Sequence, residues 1–275
     1  MTLKARNRML LVLFIIDSLI LLTCVALYIY AAITNTISPP EQPVRLFAPA
    51  HFAWLFTYRF SAAITGIFFF ITYATVVTFI MYQGFEKTQC TEVIYFCVFL
   101  IGCLLECCRL MVPLFGLWKT SSTMLILASR TMLMGRFLAP LGMVAAAVFN
   151  ETSQRQNVER NCILLLIVAL GSALLYPLDT THFTTTCSVL WGMRTLLKTM
   201  RIALYLVTIA SMALGAYTKS SHESRNSVIG CAIFMGGYFV LCMADCYMVL
   251  SLGASLLVGG TAYYLRTIHS LYMWR

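Results

Sequence analysis

Long apolar runs separated by short polar segments make up most of the chain. A helix that rises 1.5 Å per residue needs about 20 apolar residues to cross the ~30 Å hydrocarbon core of a bilayer. Six such runs precede the last fifth of the sequence, at residues 9–33, 60–82, 93–118, 123–149, 162–178 and 187–217. The pattern predicts an all-α polytopic membrane protein, with one transmembrane helical domain over residues 1–275 and no soluble domain.

The last apolar run, residues 228–267, decides the number of spans. As a single helix of about 40 residues it would be ~60 Å long, twice the thickness of the hydrocarbon core. Asp245 lies near its midpoint. We therefore predict a hairpin there, with spans at 228–244 and 247–265 and eight spans in total. The alternative is one long tilted helix and seven spans.

The distribution of Lys and Arg gives an orientation. With eight spans and a cytoplasmic N-terminus, ten basic residues lie in cytoplasmic segments and six in external ones. With seven spans the two sides carry eight each. Because cytoplasmic loops are enriched in Lys and Arg, the count favours eight spans with both termini cytoplasmic.

Two connecting segments have a distinct composition. Four prolines fall within Thr34–Ala50, which excludes a helix and indicates an extended linker outside the bilayer. Asp179–Thr186 is rich in threonine and predicts a polar, β-branched loop, after which the helical pattern resumes at Cys187. Small residues at Gly236-Gly237, Gly253 and Gly259-Gly260 predict close helix contacts within the bundle.

Composition agrees with a membrane location. Hydrophobic residues make up 60% of the chain and charged residues 11%, and the mean hydropathy is +0.85. A soluble domain carries about a quarter charged residues. The net charge of +9 does not indicate a nucleic-acid partner, because the basic residues stand singly between apolar runs. The expected partner is the lipid bilayer, whose anionic headgroups attract basic loops.

Eleven cysteines and four histidines provide no metal or cofactor motif. Most of the cysteines lie in apolar runs, where Cys behaves as a small hydrophobe. No Cys-x-x-Cys occurs, and the histidines are scattered near segment ends, so we expect no metal site and no cofactor.

Ionisable residues inside the spans are the candidates for function, because they are costly in lipid. Glu106 lies near the middle of the third span and Arg109 one turn further outward. The fourth span returns antiparallel to it, which places Arg136 at a similar depth and Arg130 about 9 Å nearer the outer face. We expect a cluster in which one carboxylate faces three guanidinium groups.

A second basic cluster follows from helical periodicity. Arg194, Lys198 and Arg201 are spaced i, i+4 and i+7 and so project from one stripe of the sixth span. Together with Arg109 and Arg130 this stripe is expected to line an outward-facing basic cavity suited to phosphate or carboxylate. Three other interpretations stay open: a structural ion pair, an amphipathic helix on lipid headgroups, and a proton or ion relay.

Two acidic residues complete the set of intramembrane charges. Asp245 is a candidate countercharge for the basic cavity, and Asp17, in the inner half of the first span, has no evident partner in the sequence. We treat both as secondary site candidates.

Several membrane activities require residues that the spans do not supply. No lysine lies deep enough for a retinal Schiff base, no Ser–His pair lies at membrane depth, and His-Glu-x-x-His is missing. Catalysis is therefore not expected.

The leading functional hypothesis is a non-enzymatic sensor or accessory subunit with a basic, anion-binding interior. It would sit in a cell membrane, in the first place the bacterial cytoplasmic membrane, and pass its signal to a separate signalling or transport protein. The alternatives are a small transporter of an organic or phosphate-like anion and a membrane-embedded lipid-modifying enzyme. The layout resembles the multi-span modules of bacterial sensor proteins, without a motif specific to them.

Overall fold

A computed structural model describes residues 3–37, 39, 43–44, 57–86, 90–119, 123–149, 157–219 and 222–273. Much of the proline-rich linker and most of the polar loop after the fourth apolar run lie outside these ranges.

The described residues form nine α-helices, one 3₁₀ segment and a two-stranded hairpin. The elements are α1 (Leu3–Ile33), α2 (Phe60–Gly84), α3 (Glu92–Leu104), a 3₁₀ segment (Leu105–Leu110), α4 (Met111–Leu114), α5 (Thr123–Phe149), α6 (Val158–Leu175), β1 (Leu178–Phe183), β2 (Val189–Trp191), α7 (Arg194–Lys219), α8 (His222–Cys242) and α9 (Tyr247–Met273).

Eight helical segments in the described ranges are long and apolar enough to cross a membrane, counting α3, the 3₁₀ segment and α4 together as Glu92–Leu114. Helices α2, α3 and α5 are mostly buried, whereas α1, α6 and α7 expose most of their apolar side chains. Leu22, Leu175 and Leu214 are each more than half exposed. Such an apolar outer surface is compatible with lipid contact and supports a multi-pass, helical membrane protein.

The helix ends meet in two groups, which define two ends of the bundle. At the terminal end, Arg6 of α1 donates to the backbone carbonyl of Phe85 after α2, and the Phe85 ring contacts His269 of α9 at 5.7 Å. At the opposite end, the hairpin end, the Arg59 amide donates to the Asp245 carbonyl at 3.0 Å. The start of α1 and the end of α9 therefore lie at the same end of the bundle.

The segment after α6 differs from its sequence prediction. The predicted polar loop contains strand β1, which pairs antiparallel with β2, and the residues from Cys187 to Met193 are not helical. The helix predicted to begin at Cys187 begins at Arg194. Helix α6 also lies earlier than predicted, ending at Leu175 rather than at residue 178. The hairpin uses β-branched and aromatic residues, which favour strands.

The last apolar run is two helices, with the break at the predicted position. Helix α8 ends at Cys242 and α9 begins at Tyr247, on either side of Asp245. Turn hydrogen bonds from the Met243 and Ala244 amides, to the Val240 and Leu241 carbonyls at 3.0 and 3.1 Å, reverse the chain.

Glycines bring α3 and α5 into backbone contact. A Cβ on Gly102 would lie 2.8 Å from the Gly135 carbonyl oxygen, and a Cβ on Gly135 would lie 2.8 Å from the Gly102 oxygen. Two helices approach this closely only when small residues face each other. The crossing fixes the neighbouring positions, Glu106 and Arg136, at one depth.

Candidate functional site

Glu106 and Arg109 lie in the 3₁₀ segment. Residues three apart are eclipsed in a 3₁₀ helix, so the two side chains share one face, and Arg109 Nη1 contacts Glu106 Oε2 at 3.0 Å. Pro113 has no amide hydrogen to donate back to the preceding turn, which weakens regular α-helical hydrogen bonding here. Both side chains are buried.

Arg136 reaches the same carboxylate from α5. Its Nε lies 2.7 Å from Glu106 Oε1 and its Nη2 lies 3.2 Å from Oε2, so the guanidinium binds Glu106 through two parallel contacts. Such bidentate pairs are the strongest hydrogen-bonded ion pairs in proteins. The Cys242 thiol at the end of α8 lies 3.9 Å from Oε1. One fully buried carboxylate therefore joins the 3₁₀ segment, α5 and α8.

The tip of the β-hairpin completes this network. Arg109 Nε and Nη2 donate to the Thr186 carbonyl oxygen at 2.8 and 2.5 Å. The tip is buried against the bundle: Thr184, Thr185 and Thr186 are inaccessible to solvent. Burial raises the pKa of the Cys187 thiol in the same tip to about 11, although the nearby charge of Arg109 opposes this shift. Cys187 therefore stays neutral at physiological pH.

Two predicted site residues, Arg130 and Asp245, do not contact Glu106 or Arg109 in the described structure. Arg130 donates to the Ala173 and Leu174 carbonyls at the C-terminus of α6, where a cation complements the helix dipole. The predicted third guanidinium is thus not on Glu106. Asp245 accepts a hydrogen bond from Thr185 at 3.1 Å at the hairpin end.

Asp17 does have a partner that the sequence did not reveal. The Thr78 hydroxyl of α2 donates to its Oδ2 at 2.9 Å, whereas Oδ1 has no hydrogen-bond partner among the described residues. The residue is buried between α1 and α2, away from the Glu106 network.

The three basic residues of the α7 stripe lie at different depths and differ in exposure. Arg194 and Lys198 are exposed near the hairpin end, whereas Arg201, further along the helix, is only 6% exposed. Arg201 packs over the Phe239 ring of α8, with 4.7 Å between the guanidinium carbon and the ring centre. Its Nε and Nη2 have no hydrogen-bond partner among the described residues.

A second unpaired group lies on α8, at the residue before the ring that Arg201 covers. The Tyr238 hydroxyl, which precedes Phe239 on α8, is fully buried and has no hydrogen-bond partner in the described part of the chain. Cys242, one turn further along α8, contacts Glu106. We call Arg201 and Tyr238 the unpaired pair. Tyr238 could not be predicted from the sequence, because one tyrosine within an apolar run does not stand out from its neighbours.

The buried charges of the described residues balance in number. Four are basic (Arg6, Arg109, Arg136 and Arg201) and four are acidic (Asp17, Glu92, Glu106 and Asp245). Within this set, Arg201 is the basic residue whose guanidinium nitrogens Nε and Nη2 lack hydrogen-bond partners among the described residues. The described residues contain no group of three His, Cys, Asp or Glu side chains able to hold a metal ion. The two unpaired nitrogens of Arg201 are donors able to bind the oxygens of a small anion.

Comparison of the chain with models of protein families, with curated proteins and with solved structures finds no match.

Proposed function

We propose that this protein is a non-enzymatic membrane sensor or accessory subunit that binds a small anion in its basic interior, at the unpaired pair. The observation that carries the proposal is the Arg201 guanidinium, which is buried while two of its donors lack partners. A buried charged donor without an acceptor costs free energy. An anion supplies the missing acceptors and a countercharge next to the Arg201 guanidinium.

The chemistry of the site favours a carboxylate or phosphate group. Nε and Nη2 lie on one edge of a guanidinium, and their parallel N–H bonds match the two oxygens of such a group. The Tyr238 hydroxyl adds a third donor. Arg194 and Lys198, exposed on the same stripe towards the hairpin end, would attract anions to the entrance.

Binding without transport is favoured by the closed network beside the site. Glu106 is fully buried, Arg136 holds it through two contacts, and Arg109 joins it to the hairpin tip. An anion at Arg201 would have to open these contacts to pass further. Displacement of Arg109 or of the hairpin tip would instead report occupancy to a partner protein.

Replacing Arg201 with glutamine is expected to weaken anion binding roughly tenfold or more, because hydrogen bonds to charged groups contribute ~1.5–3 kcal/mol. Isothermal titration of the full-length protein in nanodiscs with inorganic phosphate and with acetate measures the loss. Arg160→Gln is the matched control, since Arg160 is exposed at the start of α6. Equal affinities of wild type and Arg201→Gln, or no binding of either anion, would refute the proposal.

A flux assay in proteoliposomes distinguishes the sensor hypothesis from the transporter hypothesis. The sensor hypothesis predicts that the bound anion causes no substrate-dependent flux. Flux that disappears in Arg201→Gln but persists in Arg160→Gln would instead establish the small anion transporter, because Arg201 is the proposed binding group and Arg160 is exposed.

We also propose that the eight helices cross the bacterial cytoplasmic membrane with both chain termini in the cytoplasm. The proximity of the start of α1 and the end of α9 supports this orientation, as does the excess of basic residues on that side. Epitope tags at either terminus are expected to be accessible to antibody only after the cells are permeabilised. A C-terminal tag detected on intact cells would contradict this orientation.

A further inference from the structure

A groove between α2 and α9 runs towards the terminal end of the bundle. Its volume is about 520 Å³, within the usual range for small-molecule sites. Its walls include Tyr73, Val76 and Ile80 of α2 and Val258, Ala262 and Leu265 of α9. From Phe69 to Phe85 it follows α2 for about 24 Å, which exceeds the ~15 Å half-thickness of a bilayer core.

The groove has a closed floor and open sides. At the floor, the Tyr73 hydroxyl and the Thr261 hydroxyl lie 2.6 Å apart, and both residues are buried. At the sides, Val76, Ile80 and Val258 are each about half exposed. The polar groups of the floor satisfy each other, so the groove presents an apolar surface towards the lipid.

Positive charge is concentrated at one end of the groove. Arg266 and His269 of α9 line that end, and Arg266 is exposed with no ion pair among the described residues. The guanidinium of Arg6 lies close by, on the Phe85 carbonyl. Of the acidic groups at the terminal end, Glu92 is buried at the start of α3, Glu223 accepts a hydrogen bond from Ser270 at 2.8 Å, and Glu86 is exposed. An apolar channel with a basic head matches a molecule with an apolar chain and an anionic head.

We propose that this groove is a specific site for an anionic membrane phospholipid, with one acyl chain between α2 and α9 and the phosphate at Arg266 and His269. The site goes beyond the proposed anion-sensing function and does not depend on it. Basic pockets between transmembrane helices on the cytoplasmic side bind anionic headgroups. The terminal end, which holds the basic head of the groove, is the end we place in the cytoplasm.

Native mass spectrometry of the detergent-purified, full-length protein tests the site with phosphatidylglycerol and phosphatidylcholine of identical acyl chains. We expect one phosphatidylglycerol per chain to be retained in preference to phosphatidylcholine, and inorganic phosphate not to displace it. Arg266→Gln is expected to reduce that preference about fivefold, as for one basic residue near an anionic surface. Arg8→Gln, which removes an exposed cation at the same end, should leave it unchanged.

A second variant tests the apolar part of the site. Ala262→Trp fills the groove from an exposed position and is expected to exclude both lipids while leaving helical content and anion affinity at Arg201 intact. Equal retention of the two lipids by wild type, or equal losses in Arg266→Gln and Arg8→Gln, would overturn the proposal. A dimeric wild type that Ala262→Trp converts to monomers would assign the groove to a second copy of the chain instead.

Discussion

Replacing Glu106 with glutamine is expected to destabilise the folded protein by about 3–5 kcal/mol, the largest effect of any single substitution considered. The glutamine keeps the shape of the side chain but removes the one carboxylate that contacts Arg109 and Arg136 in the described part of the chain. Both guanidinium groups then stay buried without a countercharge. Thermal or denaturant unfolding of the purified protein measures the loss.

Two comparisons show whether charge is the cause. Glu159→Gln removes an exposed carboxylate from the first turn of α6 and should change stability by less than about 0.5 kcal/mol. The double variant Glu106→Gln/Arg136→Met removes both members of the closest pair and should recover part of the stability, since removing both partners of a buried pair costs less than breaking it. Wild-type unfolding of Glu106→Gln would contradict a stabilising ion pair.

Glu106→Gln also shows whether Glu106 affects only the stability of the fold or the affinity for phosphate as well. If Glu106 only fixes the packing of the 3₁₀ segment against α5, the folded fraction of Glu106→Gln binds phosphate as the wild type does. If Glu106 also sets the charge around Arg201, losing its negative charge strengthens phosphate binding. Affinity is therefore measured per folded molecule.

The helical segments were predictable because lipid imposes a simple length and polarity rule on them. Their ends were not, since charged residues outside the hydrocarbon core continue the helices: α1 begins at Leu3 and α9 ends at Met273. The hairpin was missed for a different reason. The short apolar sequence from Cys187 to Trp191 is equally compatible with a strand and a helix, and only its pairing with β1 decides between them.

Comparing the depths of residues along the helices predicted the contact between Glu106 and Arg136 correctly but placed Arg130 in the same cluster wrongly. Glu106 and Arg136 were matched by depth, and the structure joins them. Arg130 was assigned to the same cluster, but six residues of α-helix turn it about 120° away from Arg136, towards α6. The direction in which a side chain points around the helix axis decides which side chains meet. That direction can be interpreted only when the neighbouring helices are known.

The three basic residues that helical periodicity places on one stripe of α7 differ in burial. Arg194, Lys198 and Arg201 do share a stripe, yet only Arg201 lies deep enough to be covered by α8. The Thr186 carbonyl that holds Arg109 belongs to the backbone, and sequence cannot indicate which backbone carbonyl remains available. The unpaired pair was therefore visible only in the structure.

The second large effect is expected where α8 and α9 touch along a seam of glycines. Gly230 and Gly237 are seven residues apart on α8, as are Gly253 and Gly260 on α9, so each pair lies on one face. A Cβ on Gly260 would lie 2.9 Å from the Phe234 Cα, and a Cβ on Gly253 would lie 2.9 Å from the Leu241 amide nitrogen. The sequence predicted this packing at Gly237, Gly253 and Gly260.

Gly260→Ala is expected to destabilise the protein by about 1–3 kcal/mol or more, because the new methyl group meets rigid backbone and the two helices must separate. Gly259→Ala is the matched control on the adjacent residue, since nothing lies within 4 Å of a Cβ there. It should be neutral or slightly stabilising, as alanine favours helix over glycine. Thermal unfolding of the wild type and the two variants, side by side, measures the difference.

Equal melting temperatures of Gly259→Ala and Gly260→Ala would show that the packing of α8 on α9 does not depend on backbone contact. A loss confined to Gly260→Ala, accompanied by weaker phosphate binding, would show that this contact also holds α8, and with it Tyr238, in place.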